Sequence, residues 1–152
     1  MMQLRIAGTV ENSIVDGEGI RYTIFVQGCP HGCPGCHNPQ THDFQGGKLV
    51  DAAVLLTEIA SAPLLDGVTF SGGEPFCQAA ALAELGKQVH DLGLNLVTYT
   101  GYTLEQLLAD GREDWMALLN ETDILIDAGV SDTTTIRNYM NPYIKDNKLE
   151  II

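Results

Sequence analysis

The 152-residue chain sets eight Lys and Arg against twenty Asp and Glu, a formal net charge of −12, with 45% hydrophobic and 18% charged residues. That length suits one domain, which buries roughly 70% of the surface its unfolded form exposes, and the composition is that of a soluble globular protein rather than a disordered or fibrous one. The longest apolar runs, such as Ile124 to Ile126, fall far short of the ~20 residues of a membrane-spanning helix, and the opening residues form no signal-peptide apolar region. The acidic balance speaks against sequence-independent nucleic-acid binding, which depends on Lys and Arg neutralising phosphates.

In chain order, Thr23-Ile24-Phe25-Val26 is short, apolar and β-branched, a strand that runs into Gly28-Cys29. Leu49 to Ala62 carries Val50, Val54, Leu55 and Ile59 at helical spacing and stops at Pro63. Val68-Thr69-Phe70 reads as a strand ending in Ser71-Gly72-Gly73, and Cys77 to Leu92 as a helix with Leu82, Leu85, Val89 and Leu92 on one face and Gly93 as its stop. Leu94 to Tyr99 is a strand that breaks at Thr100-Gly101. Thr103 to Ala109 is a helix with Thr103 and Gln106 placed as a capping box. A helical Trp115 to Leu119 then precedes the strand Ile124-Leu125-Ile126.

Strands alternating with helices predict an α/β fold with a parallel sheet, shaped as a partial (βα)6-type barrel or an open curved sheet. In such sheets the working groups gather at the carboxyl edge. The cysteine loop, Ser71-Gly72-Gly73-Glu74, Thr100-Gly101-Tyr102 and Asp127 each follow a predicted strand directly, so all four are expected on one edge. No linker, repeat or low-complexity tract divides the chain, which predicts one domain over 1–152, least readable from Asp132 on.

Of four cysteines, Cys29, Cys33 and Cys36 lie within eight residues and Cys77 stands apart. A secreted disulfide framework would spread its thiols, so the spacing favours a reducing, cytoplasmic setting. Cys29-Pro30-His31-Gly32-Cys33-Pro34-Gly35-Cys36 has the pattern CxxxCxxC, which lets three thiolates face one centre; soft sulfur ligands select zinc, copper(I) or iron–sulfur clusters. A structural zinc site wants four ligands, and His31, His37 or Cys77 are candidates for the fourth. Three thiolates on a four-iron cluster would instead leave one iron open, and spacing alone does not separate the two.

The cysteine loop after a first strand, followed by Gly72-Gly73-Glu74 at a later strand end, resembles the radical S-adenosylmethionine superfamily. Within it, residues Asn12 to Arg21, Gln27-Gly28-Cys29-Pro30-His31, Cys36-His37-Asn38-Pro39 and Tyr99-Thr100-Gly101-Tyr102 resemble the family of anaerobic ribonucleoside-triphosphate reductase activating proteins, over roughly residues 10 to 130. The resemblance implies one [4Fe-4S] cluster per chain with Cys29, Cys33 and Cys36 as ligands, and S-adenosylmethionine bound at the open iron. It implies reductive cleavage of that cofactor to methionine and a 5′-deoxyadenosyl radical, which takes hydrogen from a glycine of a partner enzyme. The implied partners are a glycyl radical enzyme, foremost an anaerobic ribonucleotide reductase, and an electron donor such as reduced flavodoxin, with no nucleic acid and no membrane.

Further roles follow by position. Gly72 and Gly73 let backbone approach a bound cofactor, and Glu74 offers a carboxylate to the cofactor's cationic amino group; the plainer reading is a strand-ending turn with a solvated Glu. Where the wider superfamily often has an aromatic residue against the adenine, this chain has Gly35, as that family commonly does, which leaves adenine contact to the backbone from Gly35 to Asn38. His37 is a polar contact or a loop residue. Thr100 and Gly101 are either an edge of the cofactor site or a simple turn. Asp127 reads as a cap, Arg21 as a turn residue able to meet an acidic group, and Cys77 as a buried thiol at a helix start. From about residue 130 the chain departs from the family: the usual Arg-Gly-Ser-x-Asn-Gln is here Arg137-Asn138-Tyr139-Met140-Asn141-Pro142. Other functions open to such a chain are activation of a different glycyl radical enzyme such as pyruvate formate-lyase, a non-catalytic metal-binding module, and a radical enzyme acting on a small molecule; the short length leaves few residues to enclose a small substrate.

Overall fold

The computed structural model describes residues 2–14, 19–31, 41–127 and 137–140. Its elements are the strands β1 (Gln3–Ser13), β2 (Arg21–Val26), β3 (Lys48–Asp51), β4 (Gly67–Gly72), β5 (Asn95–Tyr99), β6 (Ile124–Asp127) and β7 (Arg137–Met140), and the helices α1 (Ala52–Ser61), α2 (Ala79–Asp91), α3 (Leu104–Asp110) and α4 (Glu113–Glu121). One sheet holds all seven strands in the order β3-β1-β2-β4-β5-β6-β7.

The α/β class stands, and the sheet is mixed rather than parallel. Neighbours from β2 through β4 and β5 to β6 are parallel, while β1 runs antiparallel to both β2 and β3, and β7 runs antiparallel to β6. The parallel strands advance one position at a time in one direction, so right-handed crossovers bring their helices to the same face. There α2 packs between α1 and α4. Leu55 and Ile59 of α1, Leu82, Leu85 and Val89 of α2 and Leu118 of α4 close a core over Tyr22, Ile24, Val68, Phe70 and Leu96 of the strands. Each such fully buried apolar side chain contributes about 1.5–3 kcal/mol. Val97 is also buried but lies outside that core, in register with Thr69, which pairs with Thr23. The opposite face of the sheet is thus a buried row of largely polar side chains.

Local chemistry explains where the elements begin and end. The helix expected from Leu49 begins at Ala52, because Asp51 caps it by accepting from the Ala53 N–H at 2.8 Å, and the preceding residues pair with β1 instead. The helix expected from Cys77 is preceded by a 3-10 turn, Pro75–Gln78, and regular α-helix starts at Ala79. Gly93, at φ 80°, ends it as expected. The Thr103–Gln106 capping box is present in both directions, at 3.1 and 2.8 Å. No helix among the described residues is long and apolar enough to cross a membrane.

Candidate functional site

Three parallel strand ends meet at the carboxyl edge. Beyond β2, the Gly28 N–H donates to Thr41 O at 2.7 Å and the Cys29 N–H to His42 O at 3.2 Å. From the other side, the Gly73 N–H donates to Val26 O at 2.9 Å and the Glu74 N–H to Gly28 O at 2.8 Å. The backbone entering the cysteine loop is therefore held between residues 41–42 and the end of β4. Both glycines are needed for this approach. A Cβ at Gly72, whose φ is +94°, would lie 2.6 Å from Val26 N, and one at Gly73 would collide with Gly28 O. In the structure the surfaces bared by Gly72 and Gly73 thus face β2 and Gly28.

Glu74 is fully buried, and both of its oxygens are used. Oε1 accepts from the Gly101 N–H at 2.8 Å and from His31 Nε2 at 2.6 Å; Oε2 accepts from the Thr100 hydroxyl at 2.8 Å and the Phe76 N–H at 3.0 Å. Four donors match the roughly four acceptor positions of a carboxylate. Glu74 is thus no solvated turn residue, the plainer alternative, but the point where the ends of β4 and β5 and the start of the cysteine loop are joined. Thr100 and Gly101 both reach this site through Glu74, and Gly101 leaves room for the His31 ring, since a Cβ there would sit 2.5 Å from His31 Cδ2.

An aromatic row continues outward from the carboxylate. The His31 ring meets Tyr102 edge-on at 4.6 Å, Tyr102 lies 5.0 Å from Trp115, and the Arg112 guanidinium covers Trp115 at 4.8 Å. Trp115 Nε1 donates to Phe76 O at 2.9 Å, which anchors the 3-10 turn after Glu74. Partial burial pushes the Tyr102 hydroxyl above its ordinary value, and the nearby Cys77 and Glu74 push it the same way.

Cys29 is half-buried at this edge, and Cys77 is exposed on the 3-10 turn rather than buried at a helix start. Desolvation of its thiol, then the charges of Glu74 and Cys29, push Cys77 up to about 11. Asp127 is a cap as expected, accepting from the Leu104 N–H at 2.8 Å at the first turn of α3. Arg21 is fully buried and donates to Thr69 Oγ1 at 2.6 Å and Val68 O at 2.8 Å, at the opposite end of the strands. Cys33, Gly35, Cys36, His37 and Asn38 lie outside the described residues. The pairing of His31 with Glu74 is not evident from the sequence, where an imidazole two residues after Cys29 reads as a candidate zinc ligand.

A thiol at the same edge as a buried carboxylate is a donor set that suits an iron–sulfur centre with a cationic cofactor beside it. A family model described as a 4Fe-4S single cluster domain matches residues 15–144. The anaerobic ribonucleoside-triphosphate reductase-activating protein of Pasteurella multocida is 37% identical over 122 residues, covering 75% of this chain and 76% of that protein. The chain belongs to this radical S-adenosylmethionine family of activating proteins. The pyruvate formate-lyase-activating enzyme of Clostridium pasteurianum is 35% identical over 132 residues, which cover 83% of this chain and 52% of that enzyme. This family member therefore spans about half the length of the Clostridium enzyme. The crystal structure of QueE from Escherichia coli shares its fold, with a TM-score of 0.56 at 20% identity over 66% of this chain and 53% of that one.

Proposed function

We propose that this protein activates an anaerobic ribonucleoside-triphosphate reductase by reductive cleavage of S-adenosylmethionine at one [4Fe-4S] cluster held by Cys29, Cys33 and Cys36. The observation that carries the reading is the position of Cys29: the CxxxCxxC loop leaves the sheet at a strand end bonded directly to Gly73 and Glu74. When bound, the cluster supplies one electron to the cofactor, whose cleavage yields methionine and a 5′-deoxyadenosyl radical that takes hydrogen from a glycine of the partner.

The chain's own residues prepare that chemistry. Cys29, Cys33 and Cys36 would hold the cluster through three thiolates, which would leave one iron for the cofactor's amino and carboxylate groups, with Glu74 at the adjoining strand end. Thr100 and Gly101 fix the carboxylate from β5. Gly72 and Gly73 keep β4 close against the loop, and Gly35, His37 and Asn38 serve the adenine side. The buried polar row on the face away from the helices supports a sheet curved as a partial barrel, with its open carboxyl edge presented to a large partner. A reductant of the flavodoxin class supplies the electron, in a cytoplasmic setting.

A second target, pyruvate formate-lyase, is favoured by the 35% identity to its activating enzyme from Clostridium. Each candidate partner is mixed anaerobically with the reconstituted protein, reductant and cofactor, and the glycyl radical is sought by electron paramagnetic resonance. A radical on the reductase supports the proposal, one on the lyase alone moves the target, and none on either refutes activation of both.

A further inference from the structure

Of the four donors on Glu74, three belong to the framework: the Phe76 N–H in the turn that follows, and the hydroxyl of Thr100 and N–H of Gly101 at the end of β5. The fourth, His31, comes from the cysteine loop itself, two residues past Cys29, with its side chain 17% exposed and its ring against Tyr102 and Gly101. The carboxylate that receives it is fully buried and cannot shift without stranding the other three donors. A short bond from a loop side chain to an immobile acceptor sets where that loop lies.

We propose that His31 is a positioning residue: by donating to Glu74 it holds the segment beginning at Cys29 against the ends of β4 and β5, and so sets the place of the cluster ligand at that edge. The purpose rests on Cys29 being a ligand, whereas the tie itself is independent of any metal. Charge-assisted bonds to carboxylates are among the stronger side-chain contacts, and their geometry is directional. The bond would therefore locate Cys29 in the metal-free protein, before a cluster is assembled.

Two substitutions separate the bond from the ring. His31→Phe keeps the ring against Tyr102 and removes the donor; His31→Gln restores an N–H at similar reach and removes the ring. The first measurement is the rate at which N-ethylmaleimide modifies Cys29 in the metal-free, reduced protein, read by peptide mass spectrometry, with thermal unfolding confirming that each variant is folded. The proposal predicts roughly tenfold faster modification in His31→Phe, the ratio given by about 1.4 kcal/mol of lost restraint, and a rate near that of the unchanged protein in His31→Gln. On reconstituted protein, release of iron to bathophenanthroline should follow the same order. Equal rates in all three proteins, or faster modification in His31→Gln than in His31→Phe, would overturn it. Failure of the unchanged protein to assemble a cluster would count against the proposed function, while the modification rates would still decide the tie.

Discussion

Glu74 accepts a hydrogen bond from the backbone N–H of Gly101 at 2.8 Å, so one carboxylate joins the ends of two neighbouring parallel strands. With Thr100 and Phe76 on its other oxygen, the residue is a structural brace as well as a source of negative charge. Glu74→Ala strands two backbone donors and a hydroxyl in a buried site, at about 1–3 kcal/mol for each group left unsatisfied, less what water recovers. The expected loss is about 2–4 kcal/mol in urea unfolding of the metal-free protein. A loss under about 1 kcal/mol would mean that the carboxylate is solvated and the brace unimportant.

Gly73 offers a sharper test of the strand-end packing. Its missing side chain lets Gly28 O approach, and a methyl there has backbone atoms of Gly28 and Thr41 in its way. Backbone yields less readily than a side-chain tip, so Gly73→Ala should cost about 2–3 kcal/mol. Gly93→Ala is the comparison. That position, unlike Gly73, has positive φ, and no atom lies within 4 Å of an added Cβ, so its cost is limited to backbone strain of about 1 kcal/mol. Equal losses in the two variants would remove close approach as the reason for glycine at position 73.

Away from the site, His90 near the end of α2 lies between two acids, with Nδ1 3.0 Å from Glu121 Oε1 and Nε2 2.8 Å from Asp123 Oδ2. The hydrogen bond to Asp123 raises the imidazole above its ordinary value, helped by the Asp123 charge and by Glu121, against the opposing effect of burial. Because the folded value lies above the unfolded one, the stabilisation is fully present below the unfolded value of about 6.5 and disappears as pH rises through the folded value. His90→Ala should therefore cost about 2 kcal/mol at pH 6, and the gap from the unchanged protein should narrow toward pH 9. Thermal unfolding across that range checks it; a gap that widens with pH would contradict the assignment.

Much of this architecture was legible because it is local. The capping box of Thr103 and Gln106, the stop at Gly93 and the strand break after Tyr99 each depend on neighbours within a few residues, and the structure has them where the pattern puts them, whereas β4 runs on past Phe70 to Gly72. The strand β1 is not legible in the sequence, since it turns on pairings of Gln3–Ser13 with both β2 and β3, and its apolar alternation stops after Leu4 and Ile6. The spacing of Leu49 fits a helix, but Asp51 caps the helix later and leaves Leu49 on an exposed edge strand. At the site, the convergence on one edge followed from strand order, whereas the burial of Glu74 and Arg21 arises from partners 26 to 48 residues away, which no periodicity reports.

In the proposed function, Cys29, Cys33 and Cys36, and not Cys77, hold a cluster that cleaves S-adenosylmethionine. Anaerobic reconstitution with iron and sulfide, followed by reductant and cofactor, tests it directly in the unchanged protein and in the Cys33→Ala and Cys77→Ala variants. The expected result is about four irons and four sulfides per chain with formation of 5′-deoxyadenosine in the unchanged and Cys77→Ala proteins, and loss of both in Cys33→Ala. A colourless protein that takes up zinc alone, or a Cys33→Ala variant that still cleaves the cofactor, would contradict it.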